Sequence, residues 1–284
     1  MHDILSHYRN DGYAIIEDFF SASEVEELRH AGEEFTKNLP DESERTIFST
    51  TKSEQASKNY FLESADKVRI FFEADALDEN GKLKCDSSLA LNKVGHALHY
   101  LHPVFRKYSF DERIKEICFQ LGYQDPVIPQ SMYIYKNPGV GSEVKSHQDA
   151  SYLYTEPLAL TGFWFALDDA TLENGCLWMI PGSHNGGVHR RFIRNPDKES
   201  KELLVYDRSE PIYQKSAFVP VPVKKGSCVL IDGLVVHRSE NNKSNLPRHA
   251  YTLHVIEQQN TVYSPDNWLQ PTNDYSFPSL YRNN

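Results

Sequence analysis

Residues Gln130 to Tyr154 read QSMYIYKNPGVGSEVKSHQDASYLY, and the reading of the whole chain starts from this stretch. Val127 to Tyr135 is β-prone, Asn137-Pro138-Gly139 is a turn signal, and Glu143 to Tyr154 predicts a second strand. Alternate side chains of a strand share a face, so His147 and Asp149 point at one spot while Gln148 points away. An imidazole nitrogen and a carboxylate oxygen meeting at one point are part of a metal site. A surface strand carrying two polar residues would spell the same tripeptide, so its context has to decide.

Working outward, the same strand-and-turn pattern continues. Further strands are expected at Leu158 to Leu167, Cys176 to Ile180, Phe218 to Val223, Cys228 to Ile231, Leu234 to His237 and Ala250 to Glu257. Glu173-Asn174-Gly175, Pro181-Gly182-Ser183 and Lys225-Gly226-Ser227 punctuate them. About eight antiparallel strands behind a more helical half predict a mainly β chain: a double-stranded β-helix, or jelly-roll, core flanked by N-terminal helices. Such a fold holds a small site in the mouth between its sheets.

The first half reads differently. Tyr13 to Phe20 predicts a strand, and Ser21 with Glu24 forms a capping box ahead of a helix over Ala22 to Phe35. Leu39 to Lys58 is polar and suggests a surface segment or lid. Lys67 to Glu73 is a strand expected to form a hairpin through Asp78-Glu79-Asn80-Gly81. Asn92 to Tyr100 reads as a short helix or a strand running into one. Asp111 as N-cap and Gly122 beyond the C-terminus bracket a helix from Glu112 to Leu121.

Composition sets the outer bounds. The chain has 284 residues, 39% of them hydrophobic, with a net charge of −10, which argues against nucleic acid as a partner. No apolar run reaches membrane-spanning length, and neither a secretory leader nor a C-terminal peroxisomal address is seen, so a cytoplasmic monomer is expected. Cys85, Cys118, Cys176 and Cys228 are widely spaced and read as reduced, mostly buried thiols.

The chemistry turns on His237 and Arg248. His237 is expected to end the strand Leu234-Val235-Val236, and Arg248 to open the next after a polar loop. On antiparallel neighbours the two would share a sheet end, one a metal ligand and the other an anion clamp. With His147 and Asp149 this makes a two-histidine, one-carboxylate face suited to Fe(II), with positions left open for substrate and O₂. A dicarboxylate such as 2-oxoglutarate would chelate the metal at one end and meet the Arg248 fork at the other. Fe²⁺ and Arg248 would then offset the charges of Asp149 and the cosubstrate.

His147-Gln148-Asp149, the run Asn174 to His184 (NGCLWMIPGSH), His237-Arg238-Ser239, Asn242-Lys243-Ser244, Arg248 and the opening Asp11-Gly12-Tyr13 together resemble the phytanoyl-CoA dioxygenase (PhyH) family of Fe(II)/2-oxoglutarate oxygenases. One subgroup of that family is matched more closely, through Asn92 to His99 (NKVGHALH), Gln130 to Ile134 and Asp169 to Trp178. The resemblance spans nearly the whole chain. It implies a single 1–284 domain, with a 1–125 helical and hairpin jacket, a 126–257 jelly-roll core and a 258–284 tail.

By the same resemblance His147, Asp149 and His237 are the iron ligands and the catalytic centre, and Arg248 is the cosubstrate clamp. Lys93, Met132, Trp164 and Ser239 match positions associated with cosubstrate binding. Ser239 can offer a hydroxyl near Arg248, Lys93 is a second cation, and Trp164 and Met132 can wall the pocket. The implied activity is a dioxygenase that decarboxylates 2-oxoglutarate to succinate and CO₂ and hydroxylates a small-molecule or acyl-type substrate. A metal- and 2-oxoglutarate-binding sensor or scaffold is the alternative, and a zinc hydrolase a third reading.

Other residues have plainer readings beside the chemical ones. His96, His99, His184 and His254 are read as core or surface residues, although His254 shares strand parity with Arg248 and so has a route to the pocket. Tyr133, Tyr135 and Trp178 are expected to pack a core. His189-Arg190-Arg191 and Arg194 form a basic cluster, readable as a dock for an anionic substrate such as an acyl-CoA. Asp197, Glu199 and Glu202 dilute that field and favour a solvated loop.

Overall fold

The computed structural model describes residues 2–48 and 59–282, so much of the expected polar lid, residues 49–58, lies outside the described residues. α1 (His2–Asp11) leads into β1 (Tyr13–Ile16), which ends four residues earlier than expected because the chain turns through Asp18 at φ 50°. The capping box forms as read: the Ser21 hydroxyl accepts from the Glu24 amide at 3.4 Å, and the Ser21 amide donates to the Glu24 carboxylate at 2.7 Å. It starts α2 (Ala22–Glu34), which buries Val25, Leu28 and Ala31.

β2 (Thr46–Ile47), α3 (Asn59–Leu62), β3 (Val68–Phe72), β4 (Leu91–His96), α4 (Leu98–Leu101), α5 (Pro103–Ser109) and α6 (Glu112–Gln120) follow. Asp111 caps α6 by accepting from the Arg113 amide, and Gly122 leaves it at φ 93°. The Asn80-Gly81 turn closes only the bridge between Leu77 and Leu83. The expected tight hairpin is therefore corrected, because β3 pairs with β4 across the whole segment 73–90.

The second half supplies β5 (Pro126–Ile134), β6 (Val144–His147), β7 (Thr155–Glu156), β8 (Leu160–Ala166), β9 (Leu177–Met179) and β10 (Phe192–Arg194). β11 (Leu204–Tyr206), β12 (Val219–Val221), β13 (Cys228–Asp232), β14 (His237–Ser239), β15 (Ala250–Glu257) and β16 (Val262–Tyr263) complete it. One sheet runs β1-β13-β8-β15-β5-β4-β3-β2 and a second runs β12-β9-β14-β6, the two sheets of a jelly roll. β10–β11 and β16–β7 are separate two-stranded ribbons. The stretch ahead of residue 126, read as a jacket, also contributes β1 to β4 to the larger sheet.

Three layers position the site. On the larger sheet's outer face Tyr133, Tyr135 and Tyr251 are fully buried beneath helices, as core aromatics should be, whereas Trp178 on the smaller sheet is only half-buried. Tyr135 donates to the Gly32 carbonyl of α2 at 2.6 Å, and the Tyr251 hydroxyl meets Ser109 of α5 at 2.7 Å. On the inner face, register aligns Gly95, Met132, Thr252, Trp164 and Val229 in one row, and Gln130, His254, Gly162 and Ile231 in the next. The C-terminal segment closes one end, with Trp268 stacked on Phe61 at 4.2 Å between ring centroids. Cys118, Cys176 and Cys228 are buried free thiols, Cys85 is half-buried, and no helix among the described residues is long and apolar enough to cross a membrane.

Gly32 fixes how closely α2 lies on the sheet, since a Cβ there would sit 2.1 Å from the Tyr133 ring. A methyl would add about 1 kcal/mol of helix propensity, but overpacking costs about 1–3 kcal/mol and here meets a ring with no room to retreat. Gly32→Ala is expected to lower the urea midpoint with an unchanged m-value, measured by equilibrium fluorescence.

Candidate metal centre

β6 ends at His147, and the strand expected to run on to Tyr154 breaks there. Gln148 keeps extended angles, φ −114° and ψ 138°, and Asp149 opens a short 3-10 turn over Asp149–Ser151. The alternation predicted for His147 and Asp149 survives because the one residue between them stays extended. Gln148 points away, as expected, and its amide has work to do there. Its Nε2 donates to the carbonyls of Gly187 and Leu234, and its Oε1 accepts from the His189 amide, all within 2.8 Å.

His237 opens β14 rather than ending a strand at 234–237, and it is the Cα partner of His147 across the β14–β6 pair. The expectation that His237 and Arg248 sit on neighbouring strands of one sheet is also corrected. β14 belongs to the smaller sheet and β15 to the larger, so the loop between them crosses the sandwich. Residues that bond from opposite sheets face each other across the interior, and the Arg248 Nη2 lies 3.5 Å from the Ser239 hydroxyl.

Two imidazoles and one carboxylate converge. One ligand atom from each of His147, Asp149 and His237 lies within 4.8 Å of the others, and Asp149 Oδ1 is 3.5 Å from His147 Nε2 and 3.6 Å from His237 Nε2. Each histidine turns Nδ1 to a backbone carbonyl, His147 to Lys145 at 2.8 Å and His237 to Val235 at 3.1 Å. A carbonyl only accepts, so Nδ1 carries the proton and Nε2 presents its lone pair inward. Burial, reinforced by His147, pushes His237 down to about 4, which keeps it neutral at pH 7. Burial works against the Asp149 carboxylate, but His254 and His237 outweigh it and hold its pKa well below the usual range.

His254, read as a core or surface residue, instead reaches the site. Its Nε2 is 3.1 Å from Asp149 Oδ2, so the two carboxylate oxygens have different partners. Gly162 lies beneath: a Cβ there would stand 3.1 Å from the same oxygen. Strand parity was the available signal for His254, while nothing in the sequence pointed to Gly162, whose role depends on β8 passing under the turn at Asp149.

Arg248 is 1% exposed, with Nε donating to the Gly175 carbonyl at 3.1 Å and Cζ 5.1 Å from the Trp164 ring centroid. Its Nη1 is buried with no hydrogen-bond partner among the described residues. Burial lowers its pKa to about 10, which still leaves it charged at neutral pH. Nearby Lys136 is also buried, but its ammonium is taken up by the carbonyls of Ser142 and Glu240. A buried guanidinium with an idle N–H is arranged for an anion.

A cavity of about 570 Å³ opens from the cluster, bordered by His147, Asp149, His254, Lys93 and Met132. The Lys93 Nζ lies 3.4 Å from the Phe48 ring centroid, and burial, with Glu73 opposing, lowers its pKa to about 7. Trp164, in Met132's own row, packs with Arg248, and Arg248 with Ser239, and none of the three borders that cavity. His96, read as a core residue, is buried against Ser64 at 2.7 Å and also borders the cavity. His99 is buried in the core, and His184 bonds the Arg9 carbonyl.

The basic cluster is divided. Arg191 bonds Ser264 and Asn267, and Arg194 bonds the carbonyls of Asn267 and Trp268, so both tie down the C-terminal segment. Neither the dock nor the solvated loop describes them; Arg190 alone of the three arginines borders the cavity.

The chain is similar to known proteins in sequence and in fold. A family model described as phytanoyl-CoA dioxygenase (PhyH) matches residues 8–250. Phytanoyl-CoA dioxygenase domain-containing protein 1 of Bos taurus is 48% identical over 283 residues, covering 98% of this chain and 97% of that one. That name is also the subgroup expected from the sequence motifs. Among solved structures, the non-heme alpha ketoglutarate dependent carbocyclase SnoK from nogalamycin biosynthesis superposes with a TM-score of 0.61 at 22% identity, over 94% of this chain and 87% of that one. EctD from S. alaskensis, solved with 2-oxoglutarate and 5-hydroxyectoine, gives a TM-score of 0.59 at 21% identity, over 90% and 75%. At such identities these two structures speak for the fold.

Gln148→Ala would remove the side-chain partner of the exposed Gly187 carbonyl and of the half-buried Leu234 carbonyl and His189 amide; an unsatisfied buried group costs about 1–3 kcal/mol, and water relieves part of that here. A loss of about 1–3 kcal/mol is expected in equilibrium urea unfolding. A change under 1 kcal/mol would show that the amide does not hold this turn.

Proposed function

As the chain belongs to the phytanoyl-CoA dioxygenase (PhyH) family, we propose that it is a non-haem iron dioxygenase in which His147, Asp149 and His237 hold Fe(II) and Arg248 clamps 2-oxoglutarate. The observation that carries this reading is the inward convergence of two Nε2 lone pairs on a buried carboxylate oxygen. The donor set fits the metal: two neutral imidazoles and one carboxylate suit Fe(II) and leave coordination positions for other ligands. When bound, Fe(II) supplies the oxidising chemistry in which 2-oxoglutarate and O₂ become succinate and CO₂ while a C–H bond of the second substrate gains a hydroxyl.

The remaining roles belong to the chain itself. The Lys145 and Val235 carbonyls fix the tautomers and ring directions of His147 and His237. The His254 contact at Oδ2 leaves Asp149 Oδ1, the oxygen nearer His147 and His237, as the one that would hold the metal. Arg248 offers its idle Nη1 and the neighbouring Ser239 hydroxyl to the far carboxylate of 2-oxoglutarate, with a planar fork that a lysine cannot reproduce. Lys93 adds a second positive charge on the cavity side, and Met132 and Trp164 exclude water between the two. Arg248 and a divalent metal would together offset Asp149 and the dianion, and Lys93, when charged, is opposed by Glu73.

The second substrate is a small molecule held in the 570 Å³ cavity, and residues 1–284 act as one domain because strands between residues 13 and 257 share one sheet. Anaerobic loading with Fe(II), followed by 2-oxoglutarate, air and a metabolite extract, tests the reading through succinate release and products heavier by one oxygen. Succinate without any oxygenated product would favour the sensor or scaffold, and activity with zinc in place of iron would favour a hydrolase.

His147→Ala and Asp149→Ala are expected to lose bound iron by elemental analysis and to lose succinate formation with it. Arg248→Lys is expected to keep iron and weaken 2-oxoglutarate binding by about tenfold or more in calorimetry, a loss of about 1.4 kcal/mol. Lys93 is charged below about 7 and neutral above it, in a setting where Glu73 favours the charge and Lys136 and His96 sense it. Affinity for 2-oxoglutarate is therefore expected to fall as pH rises from 6 to 9, and Lys93→Met to flatten that profile.

A further inference from the structure

The cavity mouth carries a charged group that the iron and cosubstrate do not use. Beyond the metal cluster the wall continues through Tyr152, Phe192, Leu204 and Tyr206 to Arg190. The Tyr152 ring is 5.9 Å from the His147 ring, and its hydroxyl meets the Tyr206 hydroxyl at 3.2 Å. Tyr206 packs on Phe192 across the β10–β11 ribbon at 4.8 Å and carries the Arg190 guanidinium on its face at 3.8 Å. Two aromatic rings thus separate the proposed metal from a planar cationic fork.

Arg190 is held but not spent. Its side chain is 14% exposed and forms no hydrogen bond among the described residues; its nearest acid is Glu210, 3.9 Å away and 54% exposed. An ion pair that long and that wet contributes little. Stacking on Tyr206 orients the fork in advance, which is how a guanidinium is prepared for a bidentate oxyanion. Arg191 and Arg194, by contrast, are bonded to the C-terminal segment and have no such freedom.

We propose that Arg190 is a specificity-determining residue that binds a carboxylate of the oxidised substrate, with the Tyr152–Tyr206 wall setting the distance from that carboxylate to the carbon presented for oxidation. The assignment rests on the reading of the cavity as the substrate site. The substrate class that follows is a compact organic acid whose apolar or aromatic segment lies between its anionic end and its reacting carbon. Glu202 and Glu210 border the same mouth and oppose a group of higher negative charge, which favours a carboxylate over a phosphate monoester.

Full-length protein saturated with 2-oxoglutarate, with and without Fe(II) under anaerobic conditions, is titrated by saturation-transfer NMR with 4-phenylbutyrate, 4-phenylbutanamide and 4-phenylbutyl phosphate. The acid is expected to bind the parent at least about tenfold tighter than its amide. In Arg190→Gln that ratio falls to about one, with the amide affinity unchanged, and Arg190→Lys retains part of it because charge remains without the fork. A ratio unmoved by Arg190→Gln, an acid that binds no better than its amide, or no binding of either would each overturn the proposal. A phosphate that outbinds the carboxylate would overturn the carboxylate assignment. The metal-free titrations read Arg190 alone, so a failure of iron loading or succinate release would count against the dioxygenase reading and leave this result standing on its own.

Discussion

The arrangement depends on one pairing across the smaller sheet. His147 and His237 are Cα partners on β6 and β14, with ring centroids 4.2 Å apart. Cross-strand neighbours at that spacing present their side chains to the same face. Two imidazoles are therefore set side by side by backbone hydrogen bonding before any metal is considered. Asp149 then comes over them from the turn after β6, where Gly162 of the larger sheet leaves room beneath its carboxylate. The three donors converge because two sheets close on one turn.

The charges follow from the same closure. A site between two sheets is dry, and dryness keeps His237 neutral while raising the cost of any unpaired ion. Lys136 meets that cost with two carbonyls, and Arg248 meets it only in part, leaving Nη1 idle. The interior thus holds an unspent guanidinium N–H beside Trp164 and, separately, three converging donors at His147, Asp149 and His237. At the mouth the demands relax, and Arg190 rests on an aromatic face beside a wet carboxylate. The gradient from dry centre to wet rim separates groups fixed by burial from a group held only by ring stacking and a long ion pair.

Much of this was legible before any coordinates. The α2 capping box, the Asp111 cap of α6 and the span of β15 stood in the sequence as local chemistry, and local chemistry needs no partner to be read. Errors clustered where pairing overrides local pattern. The Asn80-Gly81 turn was real, but the hairpin assigned to it was not, because β3 found its partner in β4. The strand through Asp149 broke early because Asp149–Ser151 winds into a 3-10 turn whose Ala150 amide is taken by the remote Gly233 carbonyl. Arg191 and Arg194 looked like a basic patch until the C-terminal segment claimed them.

The sequence by itself determined the donor types, the parity of His147 and Asp149, and the permanent cation at Arg248, since these depend on residue identity and on one extended residue at Gln148. Only the tertiary structure decided that His237 lies on the smaller sheet while Arg248 leads into β15 of the larger, that His254 and Gly162 meet at one carboxylate oxygen of Asp149, and that Arg190 alone of its cluster faces the cavity. The physical reason is the range of the interactions. Caps and alternation act over a few residues, whereas the meeting of β14 with β6, and of β8 with the turn at Asp149, is settled by strand pairing and burial between segments remote in the chain.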